Sequence, residues 1–226
     1  MKNLKSIAAG LCAALVMVGC NVSNTAKGTA IGAGGGAAVG AIIGKIAGNT
    51  AVGAAIGGVV GAGTGAIIGS KMDRAKKQAE AVKNAQVQTI TDANGLEAIK
   101  VTFDSGILFA TNKADLNAES KASLQQFATV LKDNNECDIA IFGHTDNTGS
   151  DAINNPLSKK RAQSVSSYLK SQGVSASQIK TVDGQGSTNP VADNATVEGR
   201  KQNRRVEVYM YASEQMIKEA NAEAGK

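Results

Sequence analysis

The residues most able to do chemistry in this chain are Asp146 and Arg161. Asp146 lies in a glycine-bounded run, residues 143–149, directly after a strand-like segment. Arg161 follows in a helix-like segment, where a rotation of about 100° per residue places it within the apolar arc of Val165 and Leu169. Because an unpaired buried charge is costly, a guanidinium on an apolar face requires an anionic partner or ligand. Asp146 is the nearest candidate.

Two interpretations of this pair are open. The two charges can neutralise each other as a structural ion pair at the mouth of a cleft. Alternatively, they can hold a zwitterion: the carboxylate takes an ammonium group, and the guanidinium grips a carboxylate through two parallel hydrogen bonds.

A catalytic or metal-binding interpretation has little support. His144 is the only histidine, and nothing marks a particular serine as an activated nucleophile. One histidine and Cys137 fall short of the tetrahedral ligand sets that zinc prefers. The chain also lacks the Gly-Lys-Ser or Gly-Lys-Thr end of a phosphate-binding loop. We therefore expect no enzyme, no metal and no cofactor, and we interpret His144 and Cys137 as structural.

The composition excludes further classes of protein. The 226 residues include 26 glycines but only 2 prolines, without the repeat of collagen, and 42% of them are hydrophobic, which is too many for a wholly disordered chain. The net charge of +5 suggests nucleic acid, but three Tyr, four Phe and no Trp offer few surfaces for stacking bases. We expect no nucleic-acid partner.

The C-terminal half alternates strand-like and helix-like patterns that would position Asp146 and Arg161. Asn94 and Gly95 separate two strand-like runs, residues 87–91 and 96–103, and predict a β-hairpin. The other predicted elements are helices over 117–132 and 157–169 and strands over 137–144, 179–182 and 205–211. Together they predict an α/β sandwich with helices on one face of a sheet.

A glycine ladder precedes this domain. Glycines recur at every fourth position from Gly28 to Gly69, with one break in register at residues 49–50. Each helix-interior glycine costs about 1 kcal/mol relative to alanine in water, whereas in a bilayer small residues let helices approach closely. Residues 28–69 therefore predict a membrane-associated helical hairpin, similar to the glycine-zipper segments of bacterial outer-membrane lipoproteins. Whether it spans the membrane or packs against further copies in a homo-oligomer is open.

The first residues have the form of a secretory signal, with a basic start and an apolar centre. The run Met17–Cys20 resembles a bacterial lipobox, which implies cleavage before Cys20 and acylation of that residue. Two or more acyl chains make a stable membrane anchor. Asn21 stands where an aspartate retains such lipoproteins in the inner membrane, so the resemblance favours the outer membrane.

Several spaced motifs of the C-terminal half resemble the OmpA-like peptidoglycan-binding domain. They are Gly143-His144-Thr145-Asp146, Asn154, Leu157-Ser158, Arg161-Ala162, Val165 and Asn203-Arg204-Arg205-Val206-Glu207. The resemblance implies that Asp146 and Arg161 bind the amine and carboxylate of meso-diaminopimelate in the peptidoglycan stem peptide. It also implies that Asn154, Leu157 and Arg204 line the same pocket.

Two positions depart from the family pattern. Pro156 predicts that the helix starts at Leu157, which would shift Asn154. Ala110 stands where family members often carry an acidic residue.

These features predict an outer-membrane lipoprotein whose periplasmic domain binds peptidoglycan noncovalently, tethers the membrane to the wall and maintains envelope integrity. The alternative is a glycine-zipper oligomer or pore-forming assembly that wall binding merely positions. The expected organisation is a signal peptide at 1–19, a lipid-anchored tether at 20–27, the zipper hairpin at 28–69, a solvated helical linker at 70–86, the binding domain at 87–212 and a polar tail at 213–226.

Overall fold

A computed structural model describes residues 61–91, 95–104, 108–109 and 112–225. The predicted signal segment, Cys20 and the glycine ladder before Gly61 lie outside the described residues, as does Ala110. The helices are α1 (Ala62–Glu80), α2 (Ala118–Asp133), α3 (Asp151–Ser171), α4 (Val197–Asn203) and α5 (Glu214–Ala224). The strands are β1 (Ala85–Thr91), β2 (Glu97–Asp104), β3 (Cys137–Gly143), β4 (Ile179–Gly184) and β5 (Arg205–Ala212).

The strands form one five-stranded sheet in the order β1-β2-β5-β3-β4. Neighbouring strands are antiparallel except β3 and β4, which are parallel and joined through α3. The predicted hairpin is confirmed, with Val87 opposite Val101. The mixed sheet with its helices also confirms the predicted fold class.

The main core lies between one face of the sheet and helices α1, α2, α3 and α5. Val206, Val208 and Met210 of β5 alternate toward this core, as period-2 strand geometry requires. Phe103 of β2 and Phe127 of α2 meet edge to face, with ring centroids 5.4 Å apart. On the other sheet face a smaller apolar cluster gathers around Phe142 and Tyr209.

The first helix corrects the prediction of a solvated linker over residues 70–86. Helix α1 begins inside the glycine ladder and buries Ile68, Met72, Ala75 and Ala79 in the main core. These apolar positions recur along one helix face, while the lysines and the arginine that suggested a solvated helix lie on the other sides. The predicted division at residue 70 therefore falls in the middle of a single docked helix.

The last helix corrects the prediction of a detached polar tail over residues 213–226. Ser213 caps α5 by accepting a hydrogen bond from the Met216 amide at 3.1 Å. Met216 and Ile217 are buried in the main core. The Thr64 hydroxyl donates to the Asn221 side-chain oxygen at 2.7 Å, so α5 is joined to α1.

The helix that carries Arg161 starts earlier than predicted. Helix α3 begins at Asp151 and contains Pro156 in its second turn, whereas the sequence predicted a start at Leu157. Pro156 removes only the amide that would have bonded to the Ala152 carbonyl, and the first turn is secured by the Asn154 amide on the Ser150 carbonyl at 2.9 Å. Asn154 is therefore part of the first turn of α3.

In the part of the chain that the structure describes, no helix combines the length and the apolar character needed to cross a bilayer.

Candidate ligand-binding site

The candidate site lies at the end of β3, where the loop of residues 144–149 meets the start of β5. Helix α3 passes very close to this sheet edge because Gly143 and Gly184 have no side chains. A Cβ at Gly143 would collide with the Ser158 carbonyl, and one at Gly184 would collide with the Lys159 amide. The absence of these side chains therefore lets α3 bring Arg161 to the loop that carries Asp146.

The carboxylate of Asp146 is buried and held on both oxygens. Its Oδ1 accepts a hydrogen bond from the Thr148 amide at 2.9 Å, and its Oδ2 accepts one from Arg204 Nη1 at 2.6 Å. Burial acts to raise the pKa of Asp146, but the bonds from Arg204 and Thr148 outweigh it, so that pKa lies below its ordinary value. Asp146 is therefore ionised at neutral pH.

The direct ion pair of Asp146 differs from the one expected. The sequence suggested Arg161 as the partner, but the structure pairs Asp146 with Arg204. The cause lies in the sheet: the His144 amide donates to the Arg205 carbonyl at 2.9 Å, which aligns the loop after β3 with the start of β5. Arg204 is consequently beside Asp146, and its side chain is still 37% exposed.

Arg161 is the more deeply buried of the two arginines, at 4% exposure. Its Nε donates to the Lys113 carbonyl at 3.1 Å, and its guanidinium carbon lies 5.3 Å from the centroid of the Phe109 ring. Within the described residues no carboxylate lies within the 4.0 Å of an ion pair from this guanidinium. Burial and the repulsion of Arg204 lower the pKa of Arg161, while Asp146 acts to raise it.

The remaining predicted site residues occupy different roles. Asn154 is buried, and its side-chain amide donates to the carbonyls of Asp146 at 3.4 Å and Thr148 at 3.2 Å. It therefore fixes the loop rather than presenting its amide nitrogen to a ligand. Leu157 is half-buried on α3.

Sequence reasoning missed Phe109 and Lys113 as parts of this site. An isolated bridge between Phe109 and Leu116 holds their segment near α3. Lys113 acts through its backbone carbonyl, which leaves no trace in residue type. Sequence reasoning also missed α4, although Thr196, which caps it by accepting from the Gly199 amide at 2.9 Å, was a readable signal.

His144 borders the site on the other side of the loop and is buried. Its Nε2 lies 3.3 Å from Glu207 Oε2. Burial lowers the pKa of His144, and the nearby Glu207 carboxylate offsets this only in part, so the ring is neutral at pH 7. Cys137 is likewise buried, which raises its pKa to about 12 and leaves it an unreactive thiol.

The site therefore combines two guanidinium groups with one carboxylate, a net charge of +1 at one edge of the sheet. Such a set suits a ligand that brings an anionic group to the cations and a cationic group to Asp146. No cluster of histidine, cysteine or carboxylate side chains in the described ranges has the makings of a metal site.

Comparison with known proteins agrees with this fold. Residues 108–204 match the OmpA family, and residues 1–73 match the YMGG-like Gly-zipper family. Residues 108–204 thus have the sequence pattern of the OmpA family, and residues 1–73 have that of the YMGG-like Gly-zipper family. The resemblance inferred from the spaced motifs is confirmed.

Relatives share the domain rather than the whole chain. The peptidoglycan-binding protein ArfA of Mycobacterium tuberculosis is 45% identical over 111 residues, which cover 49% of this chain and 34% of that protein. The probable lipoprotein YiaD of Escherichia coli is 41% identical over 110 residues, covering 49% of this chain and 50% of that protein. The match thus spans about a third to a half of the length of these curated relatives.

A solved structure shows the same fold. The cell wall anchor of the T6SS from Pseudomonas aeruginosa superimposes with a TM-score of 0.52 at 28% identity, covering 63% of this chain and 97% of that one.

Proposed function

We propose that this chain is an outer-membrane lipoprotein whose OmpA family domain binds peptidoglycan without catalysing a reaction and tethers the membrane to the wall. The ligand would be the zwitterionic end of diaminopimelate in the stem peptide. Acylated Cys20 would hold the membrane, with the domain in the periplasm. The naming of ArfA as peptidoglycan-binding and of YiaD as a probable lipoprotein supports this proposal.

One observation carries the proposal. Arg161 is a buried guanidinium for which, in the described residues, no carboxylate lies at ion-pair distance. An uncompensated charge in such surroundings is costly, and a carboxylate supplied by a ligand would offset that cost. The ligand's ammonium would then meet Asp146, which is already held in its ionised form by Arg204 and Thr148.

Under this proposal the neighbouring residues have distinct tasks. The Lys113 carbonyl accepts a hydrogen bond from Arg161 Nε, and the guanidinium carbon lies over the Phe109 ring, 5.3 Å from its centroid. Among the described residues the two terminal nitrogens of Arg161 have no hydrogen-bond acceptor, so they can make the parallel hydrogen bonds that a carboxylate accepts. Asn154 keeps the Asp146 loop in register with α3 through two backbone carbonyls.

Sedimentation with intact peptidoglycan sacculi tests the proposal. The full-length protein in detergent is the right material, because a fragment starting at residue 87 would lose α1 and its share of the core. Asp146→Asn and Arg161→Gln should each weaken binding by about tenfold or more, as expected for losing a hydrogen bond to a charged group. Free meso-diaminopimelate should compete with the sacculi for the wild-type protein.

A matched control and a second wall type sharpen this test. Lys160→Gln removes an exposed positive charge from the same helix and should leave binding within about twofold. Sacculi with lysine in place of diaminopimelate lack the carboxylate that Arg161 would bind and should bind weakly. Equal binding by all variants, or to both wall types, would refute zwitterion recognition.

The zipper alternative can be separated in the same samples. Gly40→Leu and Gly57→Leu should abolish detergent-resistant oligomers if the ladder packs copies of the chain together, and wall binding by single copies should persist. A monomer in several detergents would argue against the oligomer hypothesis and leave the tether.

A further inference from the structure

A second set of buried polar groups lies directly behind the candidate site, on the sheet face away from the main helices. It consists of Asn203, Arg205 and Glu207, which are between 0% and 3% exposed. The sequence motif containing them suggested a role only for Arg204. The other polar members of that motif therefore have no assigned task.

The anchor of this set is the Glu207 carboxylate. Its Oε1 accepts from Arg205 Nε at 2.7 Å, and its Oε2 accepts from the Tyr209 hydroxyl. His144 Nε2 lies 3.3 Å from Oε2, and Lys100 Nζ lies 3.9 Å from Oε1. With donors on both oxygens, Glu207 fixes the plane and position of the Arg205 guanidinium.

The Arg205 guanidinium uses its other nitrogens to hold two stretches of backbone. Nη1 donates to the Asn203 carbonyl at 3.2 Å, directly before Arg204 in the chain. Nη2 donates to the Asn189 carbonyl at 3.0 Å, in the loop that leads to α4. One rigid fork thus ties the start of β5 to the preceding loop.

Asn203 extends this connection to the other side of the site. Its side-chain oxygen accepts from the amides of Val191 at 2.7 Å and Ala192 at 3.0 Å. Its amide nitrogen donates to Asn194 Oδ1 at 2.9 Å, and that same oxygen accepts from the Asn147 amide at 3.3 Å. The network therefore runs from Asn203, the residue before Arg204, to Asn147, the residue after Asp146.

We infer that Arg205, held by Glu207, is a positioning residue for the ligand-binding site. Its guanidinium fixes the backbone directly before Arg204 and the loop at Asn189, and Asn203 and Asn194 extend this connection to the amide that follows Asp146. This inference rests on the proposed function for its consequence in wall binding. Its geometric content, the placement of Arg204 against Asp146, does not depend on the identity of the ligand.

Arg205→Lys is the most informative variant. A lysine keeps the positive charge beside Glu207, but a single ammonium cannot replace the planar fork that reaches Glu207 and both backbone carbonyls. Arg204 should then lose its fixed position against Asp146. We expect binding of the full-length protein to sacculi to weaken by about tenfold.

The pKa of the Asp146 carboxyl provides a measurement that a purely stabilising role would not change. In the wild type this pKa is held below its ordinary value against the opposing effect of burial, chiefly by the Arg204 and Thr148 hydrogen bonds. A carboxyl-detected NMR titration should show the pKa rising in Arg205→Lys. Leu131→Ala, a cavity variant in α2 remote from the site, should lower the thermal midpoint without moving this pKa or the binding.

Each outcome decides between positioning and bulk stability. A raised Asp146 pKa together with weakened binding supports positioning, whereas an Arg205→Lys protein that behaves like Leu131→Ala overturns it. If Arg205→Lys fails to fold, Asn203→Asp tests the same connection, because it replaces the amide that donates to Asn194 by an acceptor. Wild-type protein that does not bind sacculi would refute the proposed function, while the Asp146 pKa would still test the positioning.

Discussion

Two clusters of charge lie on either side of the first residues of β5, and they differ in how completely their partners are supplied. Around Glu207, one carboxylate receives Arg205 and Tyr209, with His144 and Lys100 nearby. Around Arg161, a buried guanidinium has a backbone carbonyl and an aromatic ring as its described partners. The cluster around Glu207 holds backbone segments in place, whereas under the proposed function the Arg161 guanidinium takes the carboxylate of a ligand.

The largest effect on stability is expected from removing the Glu207 carboxylate. Glu207→Ala leaves Arg205 and Lys100 buried without their carboxylate, which should lower the free energy of unfolding by about 3–5 kcal/mol. Denaturant unfolding of the full-length protein measures this change. Glu207→Gln retains acceptor capacity, so it should cost less; an equal cost for both variants would contradict the role of the hydrogen bonds.

The pH dependence of stability should come from the same cluster. The pKa of Glu207 lies below its ordinary value of 4.5 despite burial, because His144 and the neighbouring cations stabilise the carboxylate. Its contribution is therefore complete above that ordinary value and is lost as the pH falls toward the folded pKa. His144 acts in the same direction: its lowered folded pKa means that unfolding takes up a proton below about 6.5.

Thermal unfolding between pH 7 and pH 3 tests this prediction. Stability should fall as the pH falls, first through His144 and then through Glu207. Glu207→Gln should flatten the acidic part of the curve relative to wild type. A wild-type stability that rises on acidification would contradict both assignments.

A smaller effect is expected at Phe109, whose ring contacts Arg161, the arginine of the proposed ligand site. Phe109→Leu removes the aromatic ring beside Arg161, a contact worth about 0.5–2 kcal/mol, and should weaken sacculus binding by roughly twofold to thirtyfold. Phe127→Leu, in the core against Phe103, is the matched aromatic control. Its binding should stay close to wild type even if its thermal midpoint falls.

The smallest effect on the free energy of unfolding is expected from replacing Arg161. Arg161 has no described carboxylate at ion-pair distance, so Arg161→Gln recovers the cost of burying its charge but loses the hydrogen bond to the Lys113 carbonyl. Because these two contributions oppose each other, the free energy of unfolding should change by less than about 1 kcal/mol in either direction. The same variant should lose wall binding. A destabilisation as large as that of Glu207→Ala would erase the distinction between the two clusters.

Much of the fold follows from local pattern. Asn94 and Gly95 marked the hairpin, and Asn117 caps α2 by accepting from the Ser120 amide at 2.8 Å, close to the predicted start. Strand β3 and the final strand also fall within a residue or so of their predicted ends. These features depend on neighbours in the sequence, which is why the sequence reveals them.

The site was only partly predictable, because its contacts join distant segments. The sequence placed Asp146 in a loop and Arg161 on a helix, and the structure brings the two close enough for the Asp146 charge to act on Arg161. The direct partner of Asp146, however, is Arg204, which follows a helix that the sequence did not predict. The Lys113 contribution comes from a carbonyl that every residue type possesses. The prediction of a solvated linker over residues 70–86 was wrong for another reason. The many charged residues of α1 outnumber the small alanines through which it packs on the domain, so the buried face is hard to recognise in the sequence.

The docking of α1 also has a mechanical consequence. A pull applied between residue 61 and Asp146 would load the packing of α1 against the rest of the domain, because α1 starts at Ala62 and buries Ile68 and Met72 in the core. Side-chain packing resists such a load less than the hydrogen bonds between the strands of the sheet do. Helix α1 would therefore yield first, and each residue drawn from helix into extended chain would lengthen the link by roughly 2 Å. Unfolding of α1 alone would thus lengthen the link while the sheet and the charged groups at the end of β3 stay folded.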